Sequence, residues 1–245
     1  MRDLVSAHFG VHSTADLGRY LGLPSVLGCN KTATFKFIEE KVRERIGVWQ
    51  HKLLSKAGKE ILIKSIAQSL PIFTMSVFLL PLRVCDSIEK CFNRYWWGSR
   101  DTGNRGIHWL SWARLCEPKM RGGIGFKKLH EFNVALLAKH GWRLLSHPES
   151  LVCRLLQAKY YPQTDFMEAQ LGRNPSYIWR SILAGQEVLK KGVAWRIGDG
   201  LDTKIWGWNW VSDNSTPALF TPCIEELKDA RVNGLLIHRA VGMPM

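Results

Sequence analysis

The feature that most constrains this chain is a helical period of apolar residues that begins after Thr34. The apolar positions recur at steps of three and four residues: Phe35, Ile38, Val42, Ile46, Trp49 and Leu53. Charged residues fill the positions between them, and this alternation is typical of an amphipathic helix with one buried face. The segment is therefore predicted to be a helix that packs on a larger core.

A second helix is predicted directly after the first. Ser55 is a candidate N-cap, and Pro71 cannot continue a helix, so the segment is expected to end at Leu70. Its predicted apolar face is formed by Ile63, Ile66, Ala67 and Leu70. The short connection between the two segments predicts that they pack as a helical hairpin.

Further helical patterns follow, and the pattern then changes near the end. Helices are predicted at about 84–97, 129–145 and 150–161. The face of the first is predicted to be Ile88, Cys91, Phe92 and Tyr95, and that of the second to include Phe132, Leu136, Ala138 and Trp142. Trp206, Trp208 and Trp210 then alternate strictly after a glycine-rich turn at 198–200, which predicts a β-hairpin. The fold class is predicted to be mainly α, with a small β-hairpin near the C-terminus.

Charge sets the expected class of partner. The formal net charge is +13, and residues 1–70 carry 11 basic against 6 acidic side chains while residues 71–150 carry 12 against 6. Such an excess favours polyanions, because binding neutralises phosphates and releases their counterions. Composition alone leaves RNA, DNA and an anionic membrane as alternatives.

The cysteine pattern and the hydropathy of the chain indicate the expected cellular compartment. Six scattered cysteines form no CxxC pair, which argues against a zinc framework or a disulfide scaffold. The N-terminus lacks a signal-peptide core, and the most apolar run, 70–82, is too short to cross a bilayer. We expect reduced thiols and an intracellular location, in the nucleus or cytoplasm, with no membrane association.

Motifs for catalysis and cofactors are weak. The stretches Gly28 to Thr32 and Gly58 to Glu60 contain pieces of a phosphate loop, but neither has the required Gly-Lys-Ser/Thr ending. His8 and His12 have helical spacing without the glutamate of a zinc protease. No acidic cluster resembles a two-metal site. We predict no catalytic residue, no metal and no cofactor, and we expect Trp109, Trp112 and Cys116 to be core residues.

The most informative charge feature is a basic run on the first two predicted helices. It comprises Lys41, Arg43, Arg45, Lys52, Lys56, Lys59 and Lys64, against Glu44 and Glu60. About half of such runs are merely solvated helix faces. Because the first 150 residues are basic throughout and aromatic residues lie nearby, we predict that Lys52, Lys56, Lys59 and Lys64 bind a nucleic-acid backbone without reading bases.

Many short motifs occur in a fixed order along residues 15–210. They are Tyr20 to Pro24, Lys52 to Glu60, Leu62 to Lys64, Tyr95 to Gly98, Ile107 to Trp109, Gly122 to Phe126, Phe132 to Asn133, Ala135 to Lys139, Trp142 to Leu144 and Trp195 to Gly200, with Gln68, Pro71, Met75, Trp112, Pro118 and Lys119. Together they resemble the plant LINE-type non-LTR retrotransposon reverse transcriptases, and their order and spacing make the resemblance specific.

The resemblance implies a division of the chain. It assigns 1–30 to a primer-grip remnant that contains Tyr20, Leu21 and Gly22, and 31–83 to a thumb-like helical bundle that holds a template-primer duplex. It assigns 84–190 to a helical connecting region, 191–215 to the Trp-rich β-hairpin and 216–245 to a tail. It also places the Tyr-X-Asp-Asp palm before Tyr20 and the zinc-binding and ribonuclease H modules after the last residue, so we expect no enzyme activity.

Three functional readings stay open at this point. The first is a catalytically incomplete fragment of an RNA-directed DNA polymerase that keeps weak, non-specific affinity for RNA or RNA–DNA duplex. The second is a helical interaction or scaffold fragment that contacts other proteins through an exposed Trp-rich surface. The third is a relic without a selected function.

Overall fold

The computed structural model describes residues 18–50, 52–98, 107–193, 198–201, 203–206, 223 and 225–236. Two compact units form, Met1–Val188 and Leu189–Met245. The described residues are predominantly α-helical, as predicted, and no helix among them is both long and apolar enough to cross a membrane. Most of the predicted Trp-rich β-hairpin, including Trp195, Trp208 and Trp210, lies outside the described residues, so that element stays a prediction.

The elements of the first unit begin with a hairpin of two short strands, β1 (Arg19–Tyr20) and β2 (Leu23–Pro24), followed by helices. The helices are α1 (Lys31–Thr34), α2 (Lys36–Gln50), α3 (Lys56–Leu62), α4 (Ile72–Met75), α5 (Leu82–Trp97), α6 (Trp112–Cys116), α7 (Leu129–Ser146), α8 (Leu151–Tyr160) and α9 (Tyr177–Ala184). A π-helical turn, Ile63–Ala67, continues α3, and a 3-10 turn, Lys119–Arg121, follows α6. Helix α10 (Gln186–Gly192) reaches the boundary between the units.

Helix α2 confirms the first predicted helix. Ile38, Val42, Ile46 and Trp49 are buried, and α2 packs mainly on α5. The two helices run parallel, because Phe35 contacts Phe78 just before α5 and Trp49 contacts Tyr95 near its end. The prediction for Leu53 was wrong: the helix ends at Gln50, so Leu53 falls in the following loop and is 86% exposed.

The second predicted helix begins where expected but changes its geometry. The Ser55 side chain accepts a hydrogen bond from the Gly58 N–H at 3.2 Å, which is the predicted N-cap. From Ile63 onward the helix widens into a π-turn, with the Gln68 N–H bonded to the Ile63 carbonyl at 2.9 Å. The wider turn rotates Ile66 out of the predicted apolar face, and this side chain is exposed.

Helices α5 and α7 complete the centre of the core. The predicted face of α5, Ile88 to Tyr95, is buried. On α7 the prediction was partly wrong, because Trp142 is 49% exposed while the polar Asn133 is fully buried. Helix α8 lies where a helix was predicted, and the structure shows Ser150 as its N-cap. Gly185 allows the close approach of α7 and α9, since a Cβ at this position would lie 2.4 Å from the Ala138 nitrogen.

The second unit is described in short pieces. An isolated antiparallel bridge joins Lys204 to Arg231, and Lys204 forms an ion pair with Asp229 at 2.7 Å. The predicted glycine-rich turn is present as a bend in which Gly200 has a φ of +75°. A side chain at Gly200 would meet the Asn233 backbone nitrogen at 2.7 Å, so this contact requires glycine.

Candidate nucleic-acid interface

The predicted primer-grip residues form the tip of the β1–β2 hairpin. Tyr20 pairs with Leu23 across the ladder, and Leu21 and Gly22 are the two turn residues. Both turn residues have positive φ, 50° and 80°, as a type I′ hairpin turn requires. Leu21 is not a glycine, so it carries backbone strain of order 1 kcal/mol. Tyr20 and Leu21 are 73% and 74% exposed, and their role in primer binding stays a prediction.

Lys56, one of the four predicted backbone-binding lysines, is engaged within the protein. Its Nζ donates a hydrogen bond to the Trp96 carbonyl at 2.7 Å, near the C-terminus of α5. The ammonium also lies 4.9 Å and 5.0 Å from the ring centroids of Trp96 and Trp97, which is cation–π geometry. Burial lowers the pKa of Lys56. The residue caps α5, whose last carbonyls lack partners within the helix.

Lys59 and Lys64 are engaged in a similar way. Lys59 donates to the Gly98 carbonyl at 2.6 Å, and its pKa is lowered by burial and by the charge of Lys56. Lys64 donates to the Ile124 carbonyl and to Glu60, each at 2.7 Å. The ammonium groups of these lysines thus donate hydrogen bonds to acceptors within the protein. Their role in nucleic-acid binding stays a prediction.

Lys52 belongs instead to a group of exposed cations on α2 and just after it. Lys41 and Arg45 are one turn apart on α2, Lys52 lies two residues after the helix ends, and all three side chains are exposed. We call these three residues the α2 stripe. In the part of the chain that the structure describes, no ion pair or hydrogen bond occupies their charged groups. The neighbouring cations pair along the helix, as Lys36–Glu40 and Arg43–Glu39.

A second row of exposed cations lies on α5. Arg83, Lys90 and Arg94 have the spacing i, i+7, i+11, which places them on one line along the helix. We call these residues the α5 stripe. Across the described ranges their side chains also have no acidic partner within ion-pair distance. This row was not predicted, because its cations are far apart in the sequence, although their helical spacing could have identified it.

The pKa values of two cysteines indicate that they lie in the packed interior of the protein. Cys85 and Cys116 have pKa values raised to about 12, by burial and then by the charge of Glu89. Among the described residues, no two cysteines form a disulfide bond. Among the described residues, no three His, Cys, Asp or Glu side chains are grouped so that they could hold a metal ion. His8 and His12 lie outside these residues.

Comparison with known proteins gives two relatives in Arabidopsis thaliana. The "Uncharacterized mitochondrial protein AtMg00310" is 40% identical over 148 residues, and the match covers 60% of this chain and 96% of that protein. The chain belongs to the AtMg00310 family. No family model matches the chain, and no solved structure matches it.

The second relative is much longer than the AtMg00310 protein. It is named "Putative ribonuclease H protein At1g65750", and it is 36% identical over 182 residues. The match covers 73% of this chain but only 29% of that relative. This chain is therefore similar to one part, about 29%, of a larger plant protein that is named for ribonuclease H.

Proposed function

We propose that the chain derives from a retroelement and binds RNA or RNA–DNA duplex through the sugar-phosphate backbone. A relative named for ribonuclease H supports this origin, because LINE-type elements often carry that domain after the region that this chain resembles. The observation that carries the binding proposal is the α2 stripe, whose cations are exposed and are not engaged by other described residues.

The dimensions of the α2 stripe suit a polyanion. At 1.5 Å per residue, Lys41 and Arg45 are about 6 Å apart along the helix axis. The phosphates of one strand of a duplex repeat about every 3.4 Å along its axis, so the spacing of these two cations matches about two phosphates. Long flexible lysine and arginine side chains contact phosphates without reading base edges. The expected binding is weak, sensitive to salt and independent of sequence.

The first test replaces Lys41, Arg45 and Lys52 with Gln. Because Gln has nearly the same helix propensity as Lys and Arg, the fold is expected to be retained. We expect about tenfold or greater loss of affinity for an RNA–DNA duplex at low salt. The slope of log affinity against log salt should fall by about 3, since each lost phosphate contact removes about 0.9. Fluorescence anisotropy over a salt series measures both quantities.

The matched control replaces Lys139, Arg154 and Lys159 with Gln. These side chains are also exposed, and the variant has the same net charge as the test variant. It separates the effect of the α2 stripe from the effect of overall charge. If both variants lose affinity and slope equally, or if the test variant binds like the wild type, the α2 stripe is not the binding surface.

We also propose that the role of this chain is binding rather than polymerisation. The purified chain is expected to incorporate no deoxynucleotides on a primed RNA template under conditions in which it binds that template. Primer extension on a denaturing gel measures this directly. Extension above the level of a protein-free reaction would show that the chain is an enzyme.

A protein-contact role is the second candidate, and helix α8 favours it. Leu151, Val152 and Leu155 lie on the outward face of α8 and are 77%, 62% and 62% exposed. Exposed apolar rows of this kind mark interaction surfaces or aggregation liabilities. Sedimentation of the wild type and of a Leu151→Gln, Leu155→Gln variant tests it. If both are monomeric and equally soluble, this surface makes no self-contact.

A further inference from the structure

The segment Ile107 to Leu110 lies against the last turns of α5. The His108 ring stacks on the Trp97 ring, with centroids 6.3 Å apart and planes at 29°. The His108 Nδ1 atom also lies 3.3 Å from the Asn93 side-chain nitrogen, within hydrogen-bond distance. These two contacts fix the position of His108 beside α5. The position of Trp109, the next residue, is therefore constrained as well.

Trp109 points into solvent, contrary to the prediction that it belongs to the core. Its side chain is 74% exposed, and the preceding Ile107 is 68% exposed. Trp112, only three residues later, is buried and stacks on Phe126 with centroids 5.0 Å apart and planes at 8°. The chain thus buries one indole ring and leaves its neighbour outside. Ile107, Trp109 and the 39% exposed Leu110 form a run of exposed apolar side chains on a held segment, and grouped exposed apolar side chains mark interaction sites.

The cations next to this segment belong to the α5 stripe. Lys90 lies three residues before Asn93, and Arg94 lies three residues before Trp97, so each is a side-chain neighbour of a residue that holds His108. Asp86 lies one turn before Lys90 on α5. Glu89 is half-buried and accepts a hydrogen bond from the Leu129 N–H instead. The exposed Trp109 thus directly follows a histidine that lies on the face of α5 that carries Lys90 and Arg94.

We propose that Trp109 is a stacking platform for an unpaired base of a bound nucleic acid, while Lys90 and Arg94 contact the adjoining phosphates. This inference rests on the proposed function and narrows its ligand to one with a single-stranded segment. Bases inside a duplex are covered by their neighbours, whereas an unpaired base exposes a π-face that any aromatic ring can stack on. The positive charge of Lys90 and Arg94 on the face of α5 that holds His108 favours a polyanion over an apolar protein surface.

The test compares oligothymidylate of about twelve nucleotides, within the usual range of single-strand site sizes, with an abasic oligonucleotide of equal length and charge. The proteins are the wild type, Trp109→Ala, Trp109→Phe and the control Trp142→Ala, which removes an indole ring that is 49% exposed. We expect Trp109→Ala to bind oligothymidylate about tenfold more weakly and the abasic strand equally well. Trp109→Phe keeps a stacking ring, so its affinity should stay within about threefold of the wild type.

The outcomes separate the two proposals. If Trp109→Ala binds oligothymidylate as the wild type does, or loses affinity equally for both strands, the stacking role is wrong. If the wild type binds duplex and both strands but Trp109 has no effect, only the stacking role fails. If the wild type binds neither strand nor any duplex, the proposed function fails with it. Circular dichroism of each variant shows that the fold is retained.

Discussion

Replacement of Asn133 with Ala is expected to destabilise the first unit by about 4 kcal/mol, a large share of the stability of an ordinary domain. Asn133 is fully buried on α7. Its Oδ1 accepts from the Leu80 N–H at 2.7 Å, and its Nδ2 donates to the carbonyls of Met75 and Phe78 at 2.6 Å and 3.0 Å. The substitution leaves three buried backbone groups without partners, and each costs about 1–3 kcal/mol. Chemical denaturation measures the change.

Two further variants show whether the hydrogen bonds are the cause. Asn174→Ala removes an exposed side chain and is expected to change stability by less than about 0.5 kcal/mol. Asn133→Asp keeps the volume but places a carboxylate oxygen opposite two carbonyls. Folding then favours the protonated acid, so the variant should lose stability as the pH rises above about 4. A loss below about 1 kcal/mol for Asn133→Ala would contradict this account.

The helical part of the fold could be predicted because it depends on local patterns. The periodic apolar residues of α2 and α5 identify their buried faces, and Ser55 identifies a helix start through its side-chain oxygen. These signals act within about one or two turns, so no tertiary information is required.

Other features could not be predicted because they depend on contacts far apart in sequence. From the sequence alone, the polar Asn133 would be expected at the surface. Its burial depends on the carbonyls of Met75 and Phe78, which lie next to it only in the fold. The sequence predicts that Lys56 and Lys59 bind a ligand. In the fold, their hydrogen-bond acceptors are carbonyls at the end of α5, about 40 residues later in the chain. Likewise, periodicity places Trp109 in the core with Trp112, whereas helix α6 begins only at Trp112.

Charge reversal of Lys56 and Lys59 to Glu is the second change with a large expected effect, a loss of about 3 kcal/mol. The variant lacks two hydrogen bonds to the carbonyls of Trp96 and Gly98, each contributing about 1 kcal/mol. It also places two negative charges at the C-terminal end of α5, where the helix dipole disfavours anions by about 0.5 kcal/mol each. Thermal or chemical unfolding measures the loss.

The matched control reverses Lys41 and Arg45 on the α2 stripe, which gives the same net charge. These side chains are exposed, so the expected loss of stability is below about 1 kcal/mol, whereas the affinity for an RNA–DNA duplex should fall strongly. If Lys56 and Lys59 stabilise the fold and do not contact the ligand, reversing their charges mainly reduces stability. Reversing the charges of Lys41 and Arg45 then mainly reduces the affinity for the duplex. The opposite pattern would assign the phosphate contacts to Lys56 and Lys59.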